Sequence, residues 1–179
     1  MRRLAVWLRK EPIGFWKTLR FILFSVALAY VYNLAVELVY INNVDLENLD
    51  SGIVVPLWWI FLLGITIAPV FEELFFRFIP LCLVGEIFKR NPYHLLATAA
   101  VSSLAFAYAH NISGGLNIGW MRIFIQGVSG LILCAVFLKC GGMNRRYFKA
   151  YCASVTTHAL LNAAIFAPLI ISGVTEVRI

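Results

Sequence analysis

The sequence has few charged residues, and this scarcity restricts the class of protein that it can encode. Charged side chains make up 13% of the 179 residues, against about 25% in an average soluble domain. Hydrophobic residues reach 61%, where roughly 45–50% is usual. A soluble domain of this length cannot bury so much apolar surface. The composition therefore excludes a disordered chain, a nucleic-acid-binding domain and an ordinary cytosolic enzyme, and it indicates a polytopic membrane protein.

Closely spaced cysteine pairs and internal repeats are also missing. The four cysteines show no C-x-x-C spacing and lie in or beside apolar stretches, at Cys82, Cys134, Cys140 and Cys152. We therefore predict small buried thiol side chains and no disulfide framework. Because the chain has no repeat and no low-complexity tract, we expect residues 1–179 to form one membrane domain.

Five apolar runs are present, and each is near the roughly 20 residues that a helix needs to cross a bilayer. They cover about 15–41, a stretch from about 53 that continues past Pro69, and about 94–110, 120–138 and 150–171. The runs are continuously apolar rather than alternating, which favours helices over β-strands. We predict an all-α fold, a polytopic transmembrane helical bundle of about five spans.

Basic residues flank these runs and predict an orientation. Segment 1–14 mixes basic and aromatic residues, so we expect an interfacial amphipathic helix before the first span. Twelve of the 15 Lys and Arg residues lie in three places: before span one, between spans two and three, and between spans four and five. The positive-inside rule then predicts a cytoplasmic N-terminus and an external C-terminus. The net charge of +6 suits an anionic membrane surface rather than nucleic acid.

Charged side chains inside the second run point to function, because a charge at the bilayer centre costs roughly 2.5–3.5 kcal/mol or more. Residues four apart share a helix face, whereas adjacent residues lie about 100° apart. Glu73 and Arg77 can therefore form an internal ion pair with a structural role. Glu72 points elsewhere, and an unpaired carboxylate in an apolar setting is a candidate general base.

Two further spans carry polar residues that share a face with a partner four positions away: Phe106 with His110, and His158 with Asn162. If the three spans converge, Glu72 and the histidines can activate water, and His and Asn side chains can stabilise an oxyanion. Alternatively, Glu72, His110 and His158 can hold Zn²⁺ with water as a fourth ligand. Taken singly, the histidines also suit interfacial or interhelical hydrogen bonds.

Depth along the helices sets a condition for this convergence. At 1.5 Å per residue, His110 lies about 24 Å from the start of the third run, whereas Glu72 lies towards the cytoplasmic part of the second. Convergence needs the Glu-bearing helix to continue past Phe78, strong tilts, or a third span that starts deeper. A separation above about 12 Å between the Glu72 and His110 side chains would contradict a shared catalytic role.

Three motifs resemble those of the CPBP intramembrane proteases, also called the Abi or CAAX protease and bacteriocin-processing family, which includes the type II CAAX prenyl endopeptidases. Residues 72–77, EELFFR, match EExxxR; residues 106–110 match FxxxH; and residues 158–162 match HxxxN. The resemblance covers about 53–167, the expected catalytic core. Phe78 follows the motif arginine, where bacterial members commonly carry glycine.

The resemblance implies an intramembrane endopeptidase. Its implied catalytic set is Glu72, Glu73, His110, His158 and Asn162, supported by Arg77 and Phe106. Glu72 would activate a water that His110 also holds, and the motif-three histidine and asparagine would form the oxyanion hole. Some descriptions of the family instead assign the glutamate and histidines to a divalent metal. We favour a mechanism without a cofactor, with Zn²⁺ on Glu72, His110 and His158 as the alternative.

The implied substrate is a membrane-associated protein or peptide, cleaved near the cytoplasmic surface of a bacterial inner membrane. Membrane lipid is the other expected partner. The main alternative is a non-catalytic membrane protein of the same fold that acts in bacteriocin self-immunity or binds a partner. A proton or ion transporter is a third interpretation, but the sequence has no inverted repeat and no matched pair of broken helices.

Overall fold

The computed structural model describes residues 2–11, 14–41, 54–113, 119–173 and 176–178. In chain order its elements are α1 (Arg2–Arg9), α2 (Phe15–Ile41), β1 (Val54–Pro56), α3 (Leu57–Ile87), α4 (Pro92–Ser113), α5 (Gly119–Lys139), α6 (Tyr147–Ile171) and β2 (Glu176–Arg178). A short 3₁₀ turn, Gly142–Asn144, joins α5 to α6. The predicted all-helical bundle is confirmed, and a three-residue antiparallel strand pair, β1 with β2, accompanies it.

Four described helices are long and apolar enough to cross a membrane, namely α2, α3, α5 and α6. Helix α4 has 22 residues but is not among the four. It carries serine, threonine, tyrosine and histidine side chains that lower its mean hydropathy. It packs more extensively against α5 than against any other element in the described chain. The protein is therefore an integral membrane helical bundle, in which α4 is the more polar long helix.

Helix α3 contains two π-helical segments, Leu63–Ile67 and Leu74–Phe78. Each segment ends two residues before a proline, Pro69 or Pro80. A proline has no backbone N–H, and its ring collides with the carbonyl four residues earlier. The wider π turn relieves this conflict without breaking the helix, which continues through Phe78 to Ile87. The first of the three conditions for convergence is thus met.

Helix α1 is attached to the end of α5. Leu8 is buried in the main apolar core. The Lys139 ammonium donates a hydrogen bond to the Trp7 carbonyl and lies 4.3 Å from the centre of the Trp7 ring. The segment predicted to be interfacial is therefore an amphipathic helix that packs on the bundle.

Acidic side chains join the basic segments at one end of the bundle. Glu11, after α1, accepts a hydrogen bond from Lys149 of α6. Glu86, at the end of α3, accepts one from Arg145 in the α5–α6 connection at 3.1 Å. The strand pair joins the start of α3 to the chain that follows α6. The three basic segments thus gather at one end of the bundle.

The four cysteines are free thiols, but their environments differ. Cys134 and Cys140 are buried, and Cys82 is half-buried. Cys152 is exposed on α6, so the prediction of a buried thiol is wrong for this residue. Apolar neighbours in the sequence do not ensure burial, because Cys152 lies on the side of α6 that points away from the core.

Candidate active site

Glu73 is a fully buried carboxylate that joins α3 to α6. Its Oε1 accepts a hydrogen bond from His158 Nδ1 at 2.9 Å and lies 3.2 Å from Arg77 Nη1. Its Oε2 accepts a hydrogen bond from the Ser154 hydroxyl. The predicted ion pair between Glu73 and Arg77 is present. Glu73 does more than form this local ion pair, because its carboxylate also binds His158 of α6.

Arg77 packs its guanidinium against an aromatic ring rather than against further carboxylates. The side chain is fully buried, and its Cζ lies 4.1 Å from the centre of the Phe106 ring. Its Nε, Nη1 and Nη2 atoms have no hydrogen-bond partner of good geometry among the described residues. A cation over an aromatic face gains energy when both are desolvated. The Glu73 charge and the Phe106 ring together explain how an arginine is tolerated here.

Glu72 faces both motif histidines. Its Oε1 lies 3.5 Å from His110 Nε2, and its Oε2 lies 3.5 Å from His158 Nε2. The Glu72–His110 separation is far below the limit of about 12 Å that would contradict a shared role. The side chains of Glu72 and His110 are 24% and 31% exposed, so this side of the cluster is open. Glu72 lies midway along α3, because the helix extends to Ile87.

The second ring nitrogen of each histidine is held by an oxygen acceptor. His158 Nδ1 is bound to the Glu73 carboxylate, and His110 Nδ1 lies 2.9 Å from the Phe106 carbonyl. A carbonyl or an ionised carboxylate only accepts hydrogen bonds, so Nδ1 is the donor in both rings. Both Nε2 atoms therefore face Glu72 with a lone pair in the neutral form and with a proton in the imidazolium form.

Asn162 is bound to the backbone of α3. Its Nδ2 donates a hydrogen bond to the Gly64 carbonyl at 2.7 Å, inside the first π segment. A Cβ on Gly64 would lie 3.0 Å from the Phe166 ring, so glycine suits this crowded turn. Asn162 and His158 lie on the same face of α6, as predicted. The direct contacts with Glu72 and Glu73 are made by His158.

Three hydroxyl groups in this region were not singled out from the sequence. Ser154 donates to Glu73, Tyr151 donates to the Val70 carbonyl at 2.7 Å, and Ser102 donates to the Phe76 carbonyl. Pro80 has no N–H to offer the carbonyl of Phe76, and Ser102 supplies the missing donor. The spacing in the sequence could have identified two of them. Ser154 lies four residues before the motif residue His158, and Ser102 lies four residues before the motif residue Phe106.

The donor types of Glu72, His110 and His158 suit zinc. However, no group of three or more His, Cys, Asp or Glu side chains in the described chain is arranged so that it could hold a metal ion. The two histidine Nε2 atoms each approach a different oxygen of Glu72. The three side chains therefore contact one another directly and do not surround a shared position for a metal ion.

The chain was compared with protein families, curated proteins and solved structures. Residues 54–164 match the family model described as Type II CAAX prenyl endopeptidase Rce1-like. This range is more than half of the 179 residues and contains all three motifs. Curated proteins and solved structures give no match. The predicted relationship to CAAX-type intramembrane proteases is confirmed, and the chain belongs to the type II CAAX prenyl endopeptidase Rce1-like family.

Proposed function

We propose that the protein is an intramembrane endopeptidase that cleaves a membrane-associated protein or peptide, with Glu72 as the general base. One observation carries the proposal. The Glu72 carboxylate lies 3.5 Å from the Nε2 atoms of both His110 and His158 and stays 24% exposed on its open side. A general base must reach both a water and the groups that orient it, and this arrangement supports that role.

In the proposed reaction, Glu72 takes a proton from water while His110 orients it. The water oxygen forms a bond to the scissile carbonyl carbon, and the carbonyl oxygen becomes an oxyanion. When the tetrahedral intermediate collapses, the carbon–nitrogen bond breaks and Glu72 returns the proton to the leaving amine. General base catalysis contributes about 10²–10⁴-fold to the rate of such a step.

His158 is assigned to the oxyanion in this mechanism. Because Nδ1 donates to Glu73, Nε2 carries a proton only when the ring is an imidazolium. The Glu72 and Glu73 carboxylates together balance the charges of this imidazolium and of Arg77, and charge-assisted hydrogen bonds are roughly twice as strong as neutral ones. Asn162 has two N–H groups; one donates to Gly64, and we assign the other to the oxyanion. Removal of one such donor costs about 10²–10³-fold in kcat.

We further propose that cleavage occurs near the cytoplasmic surface of a bacterial inner membrane. The basic segments that gather at one end of the bundle support this orientation through the positive-inside rule. The family name refers to prenylated CAAX proteins, so prenylated peptides are candidate substrates alongside unmodified membrane peptides.

The proposal is tested by proteolysis with purified protein in liposomes and a mixed library of prenylated and unmodified membrane peptides. Glu72→Gln is expected to lower the cleavage rate by about 10²–10⁴-fold, because the amide cannot accept the proton of water. The matched control is Glu86→Gln, a substitution of the same type in α3, at an exposed glutamate whose ion pairs are at the surface. Its rate should stay within about twofold, since such surface pairs contribute roughly 0–1 kcal/mol.

Each reaction is repeated with a strong chelator. Cleavage that is lost in Glu72→Gln and kept with chelator would support the mechanism without a metal. Loss of wild-type cleavage with chelator would instead favour Zn²⁺ on the predicted ligands. Normal cleavage by Glu72→Gln would refute the role of Glu72. If the wild type cleaves no peptide, the non-catalytic immunity or partner-binding interpretation replaces the protease.

A further inference from the structure

Ser154 is a buried hydroxyl whose hydrogen bonds cross between helices. Some buried hydroxyls of the bundle, such as those of Ser25 and Thr157, donate to the carbonyl four residues earlier in their own helix, at 2.8 and 2.7 Å. The Ser154 hydroxyl instead donates to Glu73 Oε2 and lies 3.4 Å from the Leu133 carbonyl. A hydroxyl has one proton to donate, and the charged carboxylate is the stronger acceptor.

The two oxygens of Glu73 have different partners. Oε1 is shared by Arg77 Nη1 and His158 Nδ1, at 3.2 and 2.9 Å. Ser154 supplies the hydrogen bond to Oε2. Without it, a buried oxygen would lose a donor, and the carboxylate could turn about its terminal bond to share its oxygens differently. Unpaired buried acceptors are unfavourable, so the remaining donors would have to rearrange.

We propose that Ser154 is a positioning residue that acts through Glu73. Its hydroxyl holds the carboxylate so that Oε1 fixes His158 with Nδ1 protonated and Nε2 directed at Glu72. Its catalytic consequence rests on the proposed function, whereas its effect on the His158 ring does not. The hydrogen bond to the second ring nitrogen, and the groups that hold its acceptor in place, set the tautomer and orientation of a functional histidine.

The first test is ¹⁵N NMR of purified protein labelled at histidine. The sequence has three histidines, His94, His110 and His158, and a His158→Gln sample identifies the signals of the third. In Ser154→Ala, the ¹⁵N signals of the His158 ring nitrogens should shift. Ser154→Thr keeps a hydroxyl and should restore the wild-type signals. Ser25→Ala, which removes a buried hydroxyl from α2, should leave them unchanged.

Identical His158 spectra in wild type and Ser154→Ala would overturn the proposal. A change of equal size in Ser25→Ala would also overturn it, because the effect would then be general. Thermal unfolding of each sample shows that the bundle is intact. If Ser154→Ala unfolds, Ser154→Cys replaces it, since its thiol has a similar size and is a weaker donor.

The second test measures kcat and KM with the library peptide that the wild type cleaves best. Ser154→Ala should lower kcat about 10-fold with little change in KM, and Ser154→Thr should recover most of the loss. An unchanged kcat alongside altered NMR signals would overturn the catalytic part alone. If no peptide is cleaved by the wild type, the proposed function fails, and the NMR result still decides whether Ser154 positions His158.

Discussion

At the scale of single residues, two adjacent glutamates have opposite environments. Glu73 is fully buried among a cation, a histidine and a serine, whereas Glu72 is partly exposed and faces two histidines. The difference follows from helix geometry, because adjacent side chains point about 100° apart. One carboxylate is therefore fixed by its neighbours, and the other keeps an exposed side.

Phe106 provides a test of how the buried cation is held. Its ring lies 4.1 Å from Arg77 Cζ and 4.2 Å from the His110 ring centre. Phe106→Leu should reduce the free energy of unfolding by about 1–2 kcal/mol, because the leucine offers no aromatic face to a desolvated cation. The measurement is reversible unfolding in detergent. The control is Phe124→Leu on α5, where the side chain is 57% exposed; equal losses in the two variants would contradict the role of the ring.

The sequence predicted residue pairs within one helix better than pairs between helices. The Glu73–Arg77 ion pair and the contact of Phe106 with His110 both follow from a spacing of four. Ser154 could not be assigned in the same way. A serine in a membrane helix ordinarily donates to its own backbone, and only the rotation of α6 against α3 brings this one to Glu73.

At the scale of helices, a close contact between α4 and α5 lies directly beside Arg77. A Cβ on Gly130 would lie 3.1 Å from Arg77 Nη2 and 3.2 Å from the Ser103 Cα, whereas a Cβ on Gly127 would lie 3.8 Å from the Ala107 Cβ. The two glycines of this contact thus differ in how much room remains beside them.

This difference predicts opposite effects of one substitution. Gly130→Ala should destabilise the bundle by about 1–3 kcal/mol, because backbone in a packed helix does not yield to an added methyl group. Gly127→Ala should be neutral or stabilising by up to about 1 kcal/mol, since alanine favours helix more than glycine. Unfolding midpoints in detergent measure both. A Gly130→Ala variant as stable as Gly127→Ala would show that α4 and α5 can separate freely.

The apolar runs predicted the helices well and their internal detail poorly. The first span was predicted over the same residues that form α2, Phe15–Ile41. The two π segments of α3 were not predicted, although Pro69 and Pro80 mark them. A proline in a helical pattern indicates that the backbone hydrogen bonding is interrupted. Whether the helix breaks or widens depends on hydrogen-bond donors from other helices, which the local sequence does not show. The strand pair was also missed, since three residues are too short for a periodic pattern.

At the scale of the whole molecule, we expect the attachment of α1 to depend on pH. Burial raises the pKa of the Glu11 carboxyl, but hydrogen bonds from Lys149 and Asn144 outweigh burial and hold the pKa below its usual value. A carboxyl with a lowered folded-state pKa stabilises the fold above its unfolded pKa, about 4.3. That contribution is lost as the pH falls through the folded-state pKa.

The wild type should therefore lose more stability than Glu11→Gln when the pH is lowered from about 6 to below 4. The expected difference is roughly 0.2–1 kcal/mol, because the Arg146 and Lys149 side chains are 66% and 38% exposed and solvent screens their charges. Unfolding midpoints of both proteins across this range measure it, and Glu86→Gln serves as the comparison at an exposed carboxylate. Parallel pH profiles for wild type and Glu11→Gln would contradict a role for Glu11 in holding α1.

The strand pair has a consequence for how this architecture can vary. It joins residues 54–56 to 176–178, so α3 to α6 form a module that closes on itself and carries every site residue. Helices α1 and α2 are a layer outside it, joined by bonds such as that of Ser129 with Asn33. The hydrogen bonds and ion pairs described for Glu72, Glu73, His110 and His158 all lie within the module. We therefore expect the chemistry of the inner module to tolerate changes in α1 and α2 that keep their packing, such as the burial of Leu8 in the core.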